Sequence, residues 1–399
     1  MASSTIVTVN TGSSSIKLTV FSAISDVVKM SRLLDISISN IGQPVSLLQV
    51  KPVTMTAKIE EVQAANHTVA CDIILQTLLQ TIPTDTIVAI GHRLVHGGGK
   101  FAHSTLLKDI TEDDWLFLSQ IDPLHSPAAQ QIAIRFAKSF PSIPQVACFD
   151  TAFFNHLPDV AKLIPIPKKY DQMGVRRYGF HGLSYTSILE VFREKAGETA
   201  ANGRVILAHL GSGASVTAMQ FGKPVDTTMG FTPASGLPMS TRSGDLDPGI
   251  FGFLHRQTNM TADEFDHMVN FESGLVRVSG VTGDMQMLLT LEDANKDAAL
   301  AIELFVKSVK KSIGAFAAIL GGVDSLVFSG GIGEQSAVLR SRICEGMEYM
   351  GIEINEATNE RHDFLISTER SQAGVHVIPA DEARVIAKQT ITLIRKYEA

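Results

Sequence analysis

Two short segments, far apart in the chain, set glycine and small hydroxyl side chains between runs of β-forming residues. They are Asn10-Thr11-Gly12-Ser13-Ser14-Ser15 and His209-Leu210-Gly211-Ser212-Gly213-Ala214-Ser215. Turns of this kind present backbone N–H groups and short hydroxyl donors, and glycine lets an anion approach the main chain. Either one alone reads more readily as an ordinary tight hairpin. Two of them, the first framed by Asn10 and Lys17, favour phosphate. Arg93, in His92-Arg93-Leu94-Val95-His96-Gly97-Gly98, and Arg242, in Thr241-Arg242-Ser243-Gly244-Asp245, lie among residues typical of site loops. A guanidinium there can grip carboxylate or phosphate with two parallel hydrogen bonds.

Three further residues admit two readings each. Asp150 ends an apolar run, as a helix cap or as a group that positions metal or substrate at the C-terminal edge of a sheet. His181, in Tyr178-Gly179-Phe180-His181-Gly182, is a core histidine or a site residue. Glu382 is an acid favoured by a helix dipole or a ligand. Gly99-Lys100 and Gly222-Lys223 are not followed by Ser or Thr, so there is no P-loop, and the dinucleotide fingerprint is absent. Ser329-Gly330-Gly331-Ile332-Gly333-Glu334 follows an apolar run and offers bare backbone against which an adenine ring can pack.

The elements that must position these residues alternate. Strands are expected at 5–9 and 16–20, at 88–90, at 145–149, at 204–208 and 216–219, at 325–328 and at 375–378. A helix is expected from Ser126 as N-cap with Pro127 first inside it, ending near Pro141, with Ile132, Phe136 and Phe140 as a core stripe. Val306, Val309, Ile313, Phe316 and Leu320 mark another helix, and a closing helix begins near Asp381. Pro158, Pro165 and Pro167 suggest a connection between domains, and residues 23–86 carry little pattern. Strands alternating with helices give an α/β class, and two similar hairpins half a chain apart suggest a duplicated fold.

Length and charge narrow the function. A chain of 399 residues exceeds one ordinary core, so two domains are expected. Lys and Arg number 34 against 41 Asp and Glu, a net charge of −7 that argues against nucleic acid or an anionic membrane as partner. Any bound anion is therefore caught by local arrangement. Cys71, Cys148 and Cys344 show neither C-x-x-C pairing nor zinc spacing. The opening residues lack the basic-then-apolar pattern of a leader, and no apolar run approaches the ~18 residues of a membrane span. The expectation is a cytoplasmic protein.

Together these segments resemble the acetate and butyrate kinase family. The resemblance runs through Val9 to Lys17, Gly91 to Gly98, Pro123-Leu124-His125, Phe149-Asp150-Thr151-Ala152-Phe153 and Arg176 to Gly182. It continues through Gly230-Phe231-Thr232-Pro233, Thr241 to Asp245 and Gly330 to Glu334, in order over nearly the whole chain. It implies a duplicated, two-domain, actin-like (ribonuclease H-like) α/β fold with an active-site cleft between domains, residues 1–150 with 384–399 and residues 151–383. It implies reversible phosphoryl transfer from ATP to acetate, giving acetyl phosphate and ADP by direct in-line attack. Asp150, His181, Arg93 and Arg242 would be catalytic. Lys17, Ser14, His209, Leu210, Gly211, Ser212, Gly213, Asp284, Gly330, Gly331, Ile332, Gly333 and Glu334 would bind ATP and its phosphates. Arg93, Val95, Leu124, Phe180 and Pro233 would line the acid pocket, and Asn10 and Glu382 would hold Mg²⁺, with Mn²⁺ as an alternative. A homodimer is implied as well. The chain departs from the family pattern at Ser212 and Ala214, at Phe154 and Tyr185 where histidines are common, and at Ala380 and Ala383.

Overall fold

The computed structural model describes residues 4–23 and 30–398; residues 1–3, part of the stretch read for a leader, lie outside it, as do residues 24–29. The chain forms two compact units, one of residues up to 153 and from 381, the other of residues 154–380.

The first unit is built on an eight-stranded sheet. Its strands are β1 (Thr5–Thr11), β2 (Ile16–Ser22), β3 (Arg32–Ser39), β4 (Ser46–Pro52), β5 (Lys58–Val62), β6 (Ile87–Leu94), β7 (Thr105–Leu106) and β8 (Gln145–Phe149), ordered β5-β4-β3-β2-β1-β6-β8-β7. The second unit has β9 (Val205–Leu210), β10 (Ala214–Gln220), β11 (Lys223–Thr227), β12 (Ser325–Ser329) and β13 (Gly374–Val377), ordered β11-β10-β9-β12-β13. The hydrogen-bonding patterns match. In the first unit β1 runs antiparallel to β2 and parallel to β6, which is parallel to β8. In the second, β9 runs antiparallel to β10 and parallel to β12, which is parallel to β13. The duplication read from the two hairpins is thus present over five strands, β3-β2-β1-β6-β8 matching β11-β10-β9-β12-β13. Likeness to solved structures of the actin-like fold, given below, fixes the fold class.

Residues 23–86, weakly patterned in sequence, supply β3, β4, β5 and the helix His67–Thr81. Leu34, Ile36, Ile38, Leu48, Ile74 and Leu78 from this region join Val7, Val9 and Phe136 in one core. The helix Ser126–Ser139 forms as expected, but Ser126 is its first residue rather than its cap. His125 holds the cap position with helical backbone, and the Ser126 hydroxyl donates to Asp122 at 3.1 Å instead of capping. Pro158, Pro165 and Pro167 do not mark a linker. Arg177 clamps that stretch into the second unit, its backbone N–H on Lys162 O at 2.8 Å and its Nε on Ala161 O at 3.0 Å. Burial pushes the Cys71, Cys148 and Cys344 thiols up to about 12, so all three stay unreactive small hydrophobes.

His376, on β13, is buried between the rings of Phe192 and Phe364, and burial pushes its pKa down to about 4. The folded value lies below the unfolded one, near 6.5. Stability from this group is therefore complete above about pH 6.5 and lost as pH falls toward 4, where the unfolded chain takes up a proton that the native one refuses. Replacing His376 by Leu removes that term. The fall in melting temperature between pH 7.5 and pH 5 should be shallower in His376→Leu than in the parent, and an unchanged slope would assign the acid sensitivity elsewhere.

Candidate active site

In the first unit the parallel strands β1, β6 and β8 end side by side, and each delivers one polar residue. Asn10 lies at the end of β1, Arg93 at the end of β6, and Asp150 directly follows β8. Arg93 donates Nε and Nη2 to Asp150 Oδ2 at 3.1 and 2.7 Å, and Nη1 to Asn10 Oδ1 at 3.0 Å. Asn10 in turn donates to Glu382 Oε2 at 2.7 Å. Burial alone would lower the Arg93 pKa, but the Asp150 and Glu382 carboxylates outweigh it, and the guanidinium is held charged above its ordinary value. The side chains are 15% and 0% exposed for Arg93 and Asp150, so this ion pair is little screened by solvent. Glu382 opens the helix Glu382–Glu398, which lies close on β6 because Gly91 has no side chain: a Cβ there would collide with Thr390 and Ile386.

Three of the five guanidinium N–H groups are thus used, and two remain for an anion. Asn10, Asp150 and Glu382 together offer only hard oxygen donors. Among the described residues no group of three or more His, Cys, Asp or Glu makes a metal cage. An oxygen set of this size suits Mg²⁺, which takes one or two carboxylates and completes its shell with water and phosphate.

The second unit brings together His181, His209, Ser215, the Gly211–Gly213 turn and Arg242. His181 Nδ1 lies 2.9 Å from Ser215 Oγ, and its ring centroid is 4.6 Å from that of His209. Its Nε2 points at the turn, 3.2 Å from where a Cβ on Gly213 would sit, and Arg242 Nη1 lies 3.7 Å from the same point. His181 has φ 61° and ψ 25°, a left-handed backbone that costs a non-glycine residue about 1–3 kcal/mol. Arg242 sits on a loop tied by Met239 N to Arg242 O, Ser243 N to Val269 O and Ser273 N to Thr241 O, and Nη1 also donates to Pro233 O at 3.2 Å.

A family description reading "Acetokinase family" matches residues 5–388. The chain belongs to the acetokinase family. Among its relatives, acetate kinase of Phocaeicola vulgatus is 38% identical, the match covering 98% of this chain and all of that one. An acetate kinase of Clostridium botulinum is 40% identical over 96% of this chain and 98% of its own. Solved structures agree. A propionate kinase from Francisella tularensis has a TM-score of 0.89 at 32% identity, covering 98% of this chain and 99% of that one. Porphyromonas gingivalis acetate kinase has 0.86 at 35%, covering 98% and 100%.

Within this acetokinase, the remaining expected site residues fall into distinct settings. Lys17, Ser14 and Ser212 are exposed on the hairpins, Lys17 opposite Asn10 across β1 and β2. Val95 lies one residue past β6 at a bend and is buried, as are Phe180 and Pro233, whereas Leu124 is 36% exposed. Asp284 caps the helix Met285–Leu291, accepting from Met287 N at 2.8 Å. Its turn packs on Ser240, beside the Arg242 loop. Gly330–Gln335 is a short helix rather than an open turn. Glu334 staples it, accepting from Gly330 N at 2.9 Å and Ala380 N at 3.2 Å.

Sequence reasoning missed two supports. Ser215 and the Tyr185 hydroxyl brace His181, a link invisible in sequence because it joins a helix to a strand thirty residues on. The fully buried Arg340 donates to Gly333 O at 2.8 Å, Glu334 O at 3.0 Å and Asn359 Oδ1 at 2.7 Å, and burial pushes its pKa down to about 10. The departures Phe154 and Tyr185 pack edge to face, 6.0 Å between ring centroids.

Gly330 has φ 77°, and a Cβ there would meet Leu210 O and C at 2.5 and 2.8 Å. Left-handed backbone costs alanine about 1–2 kcal/mol before that collision. Gly330→Ala should weaken ATP binding at least about tenfold, measured by calorimetric titration, with a lower melting temperature; parental affinity would remove this helix from the nucleotide site.

Proposed function

We propose that the chain transfers the γ-phosphoryl group of ATP to acetate, giving acetyl phosphate and ADP, reversibly and by direct in-line attack. The observation that carries this reading is Arg93, held by Asp150 and Asn10 with two N–H groups to spare. Such a pair matches a carboxylate. The acid needs no general base, because a carboxylate with a pKa near that of Glu, about 4.3, is already ionised at neutral pH. A carboxylate oxygen attacks the γ-phosphorus, the bond from that phosphorus to the bridging oxygen breaks, and the electron pair leaves with ADP.

What remains is electrostatic: an anion must meet a polyanion. Arg93 orients the acid, and Asp150 fixes Arg93 rather than moving a proton. Arg242 and His181 contact the transferring phosphoryl group, and the Gly211–Gly213 turn offers N–H groups to ATP phosphates. The Gly330–Glu334 backbone takes the adenine. Asn10 and Glu382 would hold Mg²⁺, or Mn²⁺, which when bound neutralises phosphate charge. The reading extends to a cytoplasmic homodimer on the strength of the family resemblance. Among the described residues no helix is long and apolar enough to cross a membrane.

Acids of two to four carbons, each with ATP and with GTP, test the proposal, with acyl phosphate trapped by hydroxylamine. Hydroxamate should appear with acetate in step with ADP. Phosphate release without hydroxamate would instead mean a phosphohydrolase, and ATP-dependent sedimentation without turnover an actin-like assembly protein. Val95 is proposed to meet the methyl end of the acid. Shortening it should raise kcat/KM for butyrate relative to acetate by roughly tenfold, since one methylene in a pocket is worth about 1–3 kcal/mol. Equal losses for all acids in Val95→Ala, with a lower melting temperature, would make Val95 a core residue.

A further inference from the structure

We infer that Tyr185 and Ser215 form a positioning device for His181, fixing which ring nitrogen faces the phosphate turn; this rests on the role proposed above for His181. Two observations carry it. First, the contacts form a chain: Tyr185 OH donates to Ser215 O at 2.9 Å and lies 2.6 Å from Ser215 Oγ, which lies 2.9 Å from His181 Nδ1. Second, the chain is rigid and dry. Tyr185 and Ser215 are both 0% exposed, and Tyr185 sits one helical turn beyond His181, its N–H on His181 O at 2.9 Å. Ser215 is paired with His209 in the β9–β10 ladder, which fixes the main chain that carries the hydroxyl. With Nδ1 on Ser215, Nε2 is the nitrogen that faces the turn, 3.2 Å from where a Cβ on Gly213 would sit. The hydrogen bond at one imidazole nitrogen sets the state of the other.

The Tyr185 phenol is the outer part of this device. Burial pushes its pKa up to about 12, so it keeps its proton at every pH at which the enzyme is assayed. A carbonyl oxygen only accepts, so Tyr185 anchors Ser215 by main chain and hydroxyl together. Its ring is set in turn by Phe154, whose own ring fills the space over Gly179. Tyr185→Phe keeps that packing and removes only the phenol oxygen.

The test uses the full chain with ATP and acetate, in Tyr185→Phe, Ser215→Ala, the double variant and His181→Ala. Outer partners of this kind change activity about 10–100-fold where they orient a metal-bound histidine, and a similar fall is expected here. Ser215→Ala should lower kcat about 10–100-fold and Tyr185→Phe about tenfold, with KM for ATP and acetate within twofold. The double variant should be no slower than Ser215→Ala, because the two act in series. Nitrogen-15 spectra of the imidazoles should show the His181 Nδ1 resonance displaced in both single variants. Multiplying losses in the double variant, or an unmoved Nδ1 resonance in Tyr185→Phe, would overturn the inference. The two readings fail separately: parental turnover in His181→Ala refutes the catalytic role of His181, while the spectra still decide whether Tyr185 and Ser215 set its ring.

Discussion

Arg93→Ala should lower kcat by about 10²–10³, the usual cost of one preorganised electrostatic partner, while ATP still binds. The same change should destabilise the fold. Asp150 is wholly buried and loses both charge-assisted hydrogen bonds from Arg93. Removing one member of a buried pair costs about 3–5 kcal/mol, or roughly 10 °C in melting temperature for a chain of this size. The two effects separate in a second variant. Asp150→Asn added to Arg93→Ala relieves the buried charge, so melting temperature should recover and turnover should not. Recovery of both would mean that Arg93 serves folding alone, and near-parental kcat in Arg93→Ala would remove it from the mechanism.

His181→Ala should reduce turnover about 10²–10³-fold and leave the melting temperature within a few degrees of the parent. The reason lies in the backbone. At φ 61° histidine is a poor choice, and the about 1–3 kcal/mol it costs persists in the alanine variant. What is lost is the ring, with its contacts to His209 and Ser215. The strain fits the proposal that the ring serves turnover rather than stability. A much lower melting temperature with normal specific activity would make His181 a core histidine.

The strands that carry the site were legible because glycine-rich turns punctuate them: β1 and β2 around Gly12, β9 and β10 around Gly211 and Gly213, β12 before Gly330. Residues 23–86 were not. β5 faces solvent along nearly its whole length, so Lys58–Val62 has no buried side to announce it. β3 does alternate, with Leu34, Ile36 and Ile38 inward, yet the partly buried Leu33 blurs the period. The candidate site residues were picked out by their local loops, but their partnerships were not legible there. Glu382 meets Asn10 across 372 positions, and Arg340 acts through carbonyl oxygens that carry no side-chain signature.

The shared five-strand order of the two sheets has a consequence for which substitutions the enzyme can absorb. At matched strand ends the first unit places side chains, Asn10, Arg93 and Asp150, whereas the second places mostly main chain, at Gly211, Gly213 and Gly330. On the function proposed above, the first set would read its ligand with side-chain atoms that a missense change replaces. The second would read partly with the side chains of His181 and Arg242 and, at its glycine turns, with atoms every residue shares, constrained by room and by φ. Ser212, one of the departures from the resemblance noted above, is exposed on such a turn. Saturation mutagenesis should therefore show opposite signatures at these strand ends: intolerance of conservative polar swaps at Arg93 and Asp150, and indifference to side-chain chemistry at Ser212 beside near-total refusal of any Cβ at Gly330.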